Sequence, residues 1–196
     1  MNIPLESPLV NVFFSSEINT DSTENLLAVM AECANQKVKK VCLFLSTLGG
    51  GVSSGLQLYN VLKGMPFELT THNVGNVDSI GNVVFLAGAK RFACPNATFM
   101  FHGVGFSPAN LGRMEVKDVQ EKLGGLLSDQ KRIGAVIADR TGISEDEVTE
   151  FFNHTHTLGA DDALTTGVID DIREVEIGLG IPVITLVFKP VPPIVN

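Results

Sequence analysis

Three short segments of this sequence hold residue types that together perform acyl transfer. Ser79 sits in Gly75-Asn76-Val77-Asp78-Ser79-Ile80-Gly81, between an apolar strand-like run and a short buried helical pattern. A hydroxyl held at a helix N-terminus lies beside free backbone N–H groups and the positive end of a dipole, both of which stabilise an oxyanion. A serine attacks a carbonyl only when a base takes its proton, and His102 is the first polar residue after the next strand pattern, Ala97 to Phe101. Gly49-Gly50-Gly51 follows another apolar run, and glycines leave backbone amides unshielded for an oxygen that gains charge. The loop lacks the Gly-Lys-Ser/Thr ending of a phosphate-binding loop. Each segment alone has a plainer reading: the glycines as a packing turn, Ser79 or Asp78 as a helix N-cap, His102 as a solvated strand-end histidine. Their order is what points to nucleophilic catalysis.

The elements that must position these groups follow from hydrophobic periodicity. Leu9 to Phe14 predicts a strand, and Asp21-Ser22-Thr23-Glu24 a capping box opening a helix through Leu26, Leu27, Met30 and Cys33. Val41 to Leu45 is apolar on both faces, as in a strand inside a covered sheet, and a helix through Leu56, Leu58, Tyr59 and Leu62 ends at Gly64. Phe67 to Val74 predicts the next strand, Val83 to Ala89 a buried helix, and Ala97 to Phe101 a fourth strand. This alternation predicts an α/β fold with parallel strands, whose sites gather beyond the strand ends. From Met114 to about Ala138, Val116, Val119, Leu123, Leu126, Leu127, Ile133 and Ile137 recur at helical spacing, with a loosening expected at Gly124-Gly125. Ser144 and Glu147 form a capping box before a helix through Val148 and Phe152. Asp161 to Thr165 predicts a short helix, Val168 to Ile172 a strand, and Ile181 to Phe188 a last strand stopped by Pro190, Pro192 and Pro193. The expectation is one domain spanning 1–196, with a head (1–110 and 155–196) and a helical handle (about 111–154). The handle's Val116, Val119, Leu123 and Leu127 stripe has too little chain left to cover it, which predicts an oligomer.

Composition narrows the partners. The 196 residues are 44% hydrophobic and 18% charged, enough for a substantial core. With 14 Lys+Arg against 22 Asp+Glu, the net charge of -8 argues against a surface that tracks phosphates, so no nucleic acid is expected. Cys33, Cys42 and Cys94 have neither a disulfide framework nor a metal spacing and read as reduced, buried thiols. No segment approaches a membrane span or a secretory signal, so the expectation is a cytoplasmic protein without cofactor or metal.

Taken together, Thr47-Leu48-Gly49-Gly50-Gly51-Val52, Gly75-x-x-x-Ser79-Ile80-Gly81, Leu86-Ala87-Gly88-Ala89-Lys90, Arg91-Phe92-Ala93-Cys94-Pro95-Asn96, Met100-Phe101-His102 and Ala160-x-Asp162-Ala163-x-x-x-Gly167-Val168-Ile169-Asp170 closely resemble the Clp protease proteolytic subunit. The resemblance runs from about Leu9 to Ile172. It implies a crotonase-like spiral of βαβ units, a handle that interlocks two rings, and a serine endopeptidase acting on peptides or unfolded proteins inside an oligomeric chamber. It implies Ser79 as nucleophile, His102 as general base, and the Gly50 and Ile80 backbone N–H groups as oxyanion donors. The sequence departs from the pattern in three places. The triad acid is expected at Thr155, and Asn153-His154-Thr155-His156-Thr157 contains no acid, although Asn153, His154 or His156 are possible substitutes. Asp78 replaces a small apolar residue; it reads as a helix cap, and were it to face the site its charge would favour an imidazolium and oppose an oxyanion. The segment before the first strand is short, so dependence on an ATP-driven unfoldase is not carried over. Two alternatives stay open: a weak or inactive ring subunit, which the missing acid favours, and a crotonase-type acyl-coenzyme A enzyme, against which the Ser79 and His102 pair argues.

Overall fold

The computed structural model describes residues 3–106 and 113–186. In chain order the elements are β1 (Val10–Ser15), α1 (Thr20–Asn35), β2 (Lys40–Thr47), α2 (Val52–Lys63), β3 (Glu68–Asp78), α3 (Gly81–Phe85), β4 (Lys90–Ala93), β5 (Thr98–Phe101), α4 (Val116–Arg140), α5 (Glu145–Asn153), β6 (His156–Gly159), α6 (Ala160–Thr165), β7 (Asp171–Ile172) and β8 (Val183–Leu186). They form a mixed α/β fold around one sheet in the order β6-β5-β3-β2-β1-β8, with β4 between β3 and β7. Every pairing is parallel except β5 with β6.

The core forms where helices cover this sheet. Helix α1 buries Leu26, Val29, Met30 and Cys33, the i, i+3, i+4, i+7 stripe of an amphipathic helix. Val41, Leu43 and Leu45 of β2 and Phe85 and Phe99 are fully buried, each contributing roughly 1.5–3 kcal/mol. Strand β3 is where the sheet divides. Its first half, Thr70 to Asn73, pairs with β4, and its end, Asn76 to Asp78, pairs with β5. The β2 register slips between Leu45 and Thr47 at the same level, which lets the upper half of β3 swing toward β5.

Several expectations are corrected. Strand β3 continues through Gly75 to Asp78, because Asn73 and Asn76 side chains donate to the Thr98 carbonyl and hydroxyl and stitch it to β5. Asn19 rather than Asp21 caps α1, in a capping box with Ser22. Helix α4 runs unbroken through Gly124-Gly125 to Arg140. Strands β4 and β6 arise where none was expected, and β7 is a two-residue remnant of the strand expected from Val168. The final strand is present as Val183–Leu186, parallel to β1; Phe188 and the prolines expected to stop it lie outside the described residues.

Among the described residues, helix α4 is anchored toward its C-terminal end. Ile133 and Ile137 are its buried residues, and Arg140 donates to the carbonyls of Leu86 and Gly88, both at 3.1 Å. Toward the other end Val116, Val119, Leu123 and Leu127 stay 52–75% exposed, as the sequence pattern predicts. The cysteines are free: Cys33 and Cys94 are buried and Cys42 half-buried. Burial pushes the Cys33 thiol up to about 11 and Cys42 up to about 12, so neither supplies a thiolate near neutrality. Among the described residues no helix is long and apolar enough to cross a membrane, and no three His, Cys, Asp or Glu side chains cluster for a metal.

Candidate active site

The loop after β2 is fixed by its own backbone. Ile18 donates to the Gly49 carbonyl at 2.8 Å, and Gly51 donates to the Ile18 carbonyl at 2.7 Å. This bridge engages the residues on either side of Gly50 and leaves the Gly50 N–H without an acceptor among the described residues. Only glycine fits here. Gly49 and Gly50 have φ of 90° and 146°, and a Cβ at Gly50 would stand 2.2 Å from the Ile18 carbonyl oxygen. A Cβ at Gly49 would stand 2.6 Å from the Ser79 Cβ, so the glycine loop lies directly against the serine.

Ser79 occupies the left-handed region, with φ of 58°, on the turn from β3 into α3. A non-glycine residue there is strained and needs support from its surroundings. The Ser79 N–H donates to the Met100 carbonyl at 2.8 Å, and the Asn82 amide donates to both the Ser79 and Met100 carbonyls, at 3.0 and 2.8 Å. Asn82, 1% exposed, thus ties the elbow to β5, a role the sequence reading missed. The next amide, that of Ile80, also lacks a backbone acceptor among the described residues.

His102 leaves the end of β5 next to this elbow, because β3 and β5 are parallel with Asp78 opposite Met100. Gly50, Ser79, Ile80, His102 and Gly103 line one cleft of about 90 Å³, walled on its apolar side by Ile133 and Ile137 of α4 and Phe152 of α5. All four sequence-predicted site residues therefore meet in one place. Ser79 and His102 share the cleft without a hydrogen bond between them, and the His102 Nδ1 lies 2.7 Å from the Gly103 carbonyl. A carbonyl only accepts, so Nδ1 carries the proton and Nε2 keeps the lone pair that a base needs.

The third partner differs from expectation. Extending the β5–β6 register one step past Phe101 and His156 places Thr155 across from His102, but none of the proposed substitutes bonds to that imidazole. The His154 N–H donates to the Glu150 carbonyl, the His156 ring stacks on Phe151 at 4.6 Å, and Asn153 and Thr155 are exposed. Gly103 instead orients the ring with a neutral acceptor. Asp78 also departs from its expected role: the cap position of α3 is Ile80, without a side-chain cap, and Asp78 is a buried β3 residue. Its burial pushes the carboxyl above the ordinary carboxylate range, while the Met100 backbone and the His102 charge pull it back down.

A Cys and His pair stands apart from this cleft. His72 Nε2 lies 3.7 Å from the Cys94 Sγ but 3.0 Å from the Arg173 carbonyl, so Nε2 carries the proton. Burial raises the Cys94 thiol and lowers His72, which keeps both neutral and makes this pair structural.

Fold and cleft define the class: a mixed α/β protein with a helical extension and a cleft that gathers an elbow serine, a strand-end histidine and two amides without acceptors among the described residues. Residues 9–176 match the family described as Clp protease, and the chain belongs to that family. Among solved structures, an asparagine-to-aspartate mutant of ClpP1 from Listeria monocytogenes superposes with a TM-score of 0.76 at 22% identity, covering 84% of this chain and 91% of that one. That likeness is one of fold. Family and fold together support a protease-type function.

Proposed function

We propose that this protein is a serine endopeptidase that hydrolyses peptides or unfolded proteins within a chamber built from copies of itself. The observation that supports this most directly is the convergence of Ser79, His102 and the unengaged Gly50 and Ile80 amides on one cleft. Ser79 Oγ attacks the scissile carbonyl carbon while His102 Nε2 takes the hydroxyl proton. The carbonyl oxygen becomes an oxyanion held by the two amides. Collapse breaks the C–N bond, the imidazolium passes its proton to the leaving amine, and an acyl ester remains on Ser79. Water, deprotonated by His102, then attacks the ester, and Ser79 leaves with the proton restored. No cofactor takes part. The test is covalent labelling by a fluorophosphonate with the modified peptide identified by mass. The expected result is a single adduct on Ser79; no adduct from about pH 5 to about pH 9 would favour the inert ring subunit. That second reading has one observation in its favour, the neutral carbonyl where a carboxylate would normally orient the base.

Self-association belongs to the same proposal. The exposed Val116, Val119, Leu123 and Leu127 stripe is a helix face without a partner among the described residues, and members of the family assemble into homo-oligomeric rings. Replacing Leu123 and Leu127 together by Glu is expected to convert the assembly to smaller species in sedimentation velocity. The far-ultraviolet dichroism should be unchanged, because neither side chain is part of the core. An assembly that persists in the double variant would place the contact elsewhere.

A further inference from the structure

We propose that Asp78 is a positioning residue of this site, supplying through space the negative charge that supports the His102 imidazolium. The inference rests on the peptidase reading. It starts from a deficit: the proton that His102 accepts creates a cation, and the partner of its other ring nitrogen is the neutral Gly103 carbonyl. Serine peptidase sites ordinarily meet that cation with a buried carboxylate.

Asp78 has the placement to do so. It pairs in register with Met100 on the adjacent parallel strand, and paired residues of neighbouring strands project from the same face of a sheet. His102 lies two residues beyond Met100, one step past the end of β5, and is close enough for its charge to act on the Asp78 carboxyl. The Asp78 side chain is only 7% exposed, and its Oδ1 has no hydrogen-bond partner. A buried carboxylate oxygen without a donor is costly to the fold, a cost tolerated where charge is used. The polar side chains that β2 and α3 bring to the elbow, Thr47 and Asn82, are neutral, and His102 is the titratable side chain whose charge reaches the Asp78 carboxyl. The oxyanion donors are on other elements, the glycine loop after β2 and the start of α3, and Asp78 is not among the residues that line the cleft.

The sign of the pH dependence follows. Burial holds the Asp78 carboxyl above the ordinary range, so its charge is present at higher pH and is lost as pH falls through that raised value. The experiment compares wild type with Asp78→Asn and Asp78→Ala in kcat, KM and the pH profile of kcat/KM, alongside Ser79 labelling. The amide is nearly isosteric, and alanine is a second uncharged variant should the amide disturb the fold. The expected result is a drop in kcat of about 10- to 100-fold with KM nearly unchanged, and an acid limb displaced to lower pH because the base has lost a neighbouring anion. Adding Thr155→Asp to Asp78→Asn places a carboxylate across from His102 and is expected to restore most of kcat. Folded variants with wild-type kcat and pH profile, measured on a protein that labels at Ser79, would overturn the role of Asp78 and leave the peptidase reading standing. Wild type that never labels at Ser79 would overturn that reading, and this inference with it.

Discussion

Ser79→Ala is expected to lower kcat/KM on a peptide substrate by about three to six orders of magnitude and to abolish fluorophosphonate labelling, with assembly and dichroism unchanged. The size reflects what remains. Without the hydroxyl, water must attack a carbonyl polarised only by the Gly50 and Ile80 amides, and His102 has no positioned nucleophile to deprotonate. The fold should not suffer, because the Ser79 contacts that hold the elbow are made by its backbone: the N–H to the Met100 carbonyl and the carbonyl to the Asn82 amide. A companion variant separates chemistry from strain. Alanine keeps the side chain that makes φ of 58° unfavourable, whereas Ser79→Gly removes it and is expected to stabilise the protein by roughly 1–2 kcal/mol, read as a higher Tm. An inactive Ser79→Gly that melts above wild type would be the signature of an elbow strained for use. Hydrolysis surviving in Ser79→Ala would move the nucleophile elsewhere.

Gly50→Ala is expected to lower activity by about two to three orders of magnitude and stability by about 2–4 kcal/mol. The new Cβ would stand 2.2 Å from the Ile18 carbonyl oxygen, which is itself the acceptor for the Gly51 N–H at 2.7 Å. To relieve the overlap the loop must let go of Ile18, and the Gly50 amide then turns with it. The backbone at φ of 146° adds strain for any residue with a side chain. Gly51→Ala is the control. Its nearest neighbours would be 3.6 Å away and its φ is -70°, so the change should stay within about 0.5 kcal/mol and leave turnover intact. Measuring both variants by thermal denaturation and steady-state hydrolysis tests whether the geometry of one amide, rather than general loop flexibility, governs the rate. Equal effects at the two positions would count against it.

Where local sequence dictated structure, reading it was enough. The two-faced apolar run of β2, the glycine loop behind it and the serine elbow are specified within a few residues each, and the loop and the elbow meet in one cleft. The missed elements owe their form to distant partners. Strand β6, His-Thr-Leu-Gly, has no alternating apolar pattern and exists because β5 offers it an antiparallel edge. The last four residues of β3 contain Gly75 and Asn76, ordinarily turn residues, yet Asn76 spends its amide on Thr98 rather than on a turn. The orienting group of His102 was invisible for a different reason. Every residue has a backbone carbonyl, so nothing in the letter at Gly103 marks it. Asp78 was visible as an oddity, but its assignment as a cap presumed that the strand ended sooner than it does.

The pairing of β8 with β1 has a consequence for how the protein behaves in crowded solution. Without Val183–Leu186, the row of amides and carbonyls along β1 would face water beside Val10, Val12 and Phe14, offering a ready seam for any extended segment of another molecule. The last described strand thus takes the outer place itself, and with four residues it shortens the exposed hem that β1 would otherwise present along six.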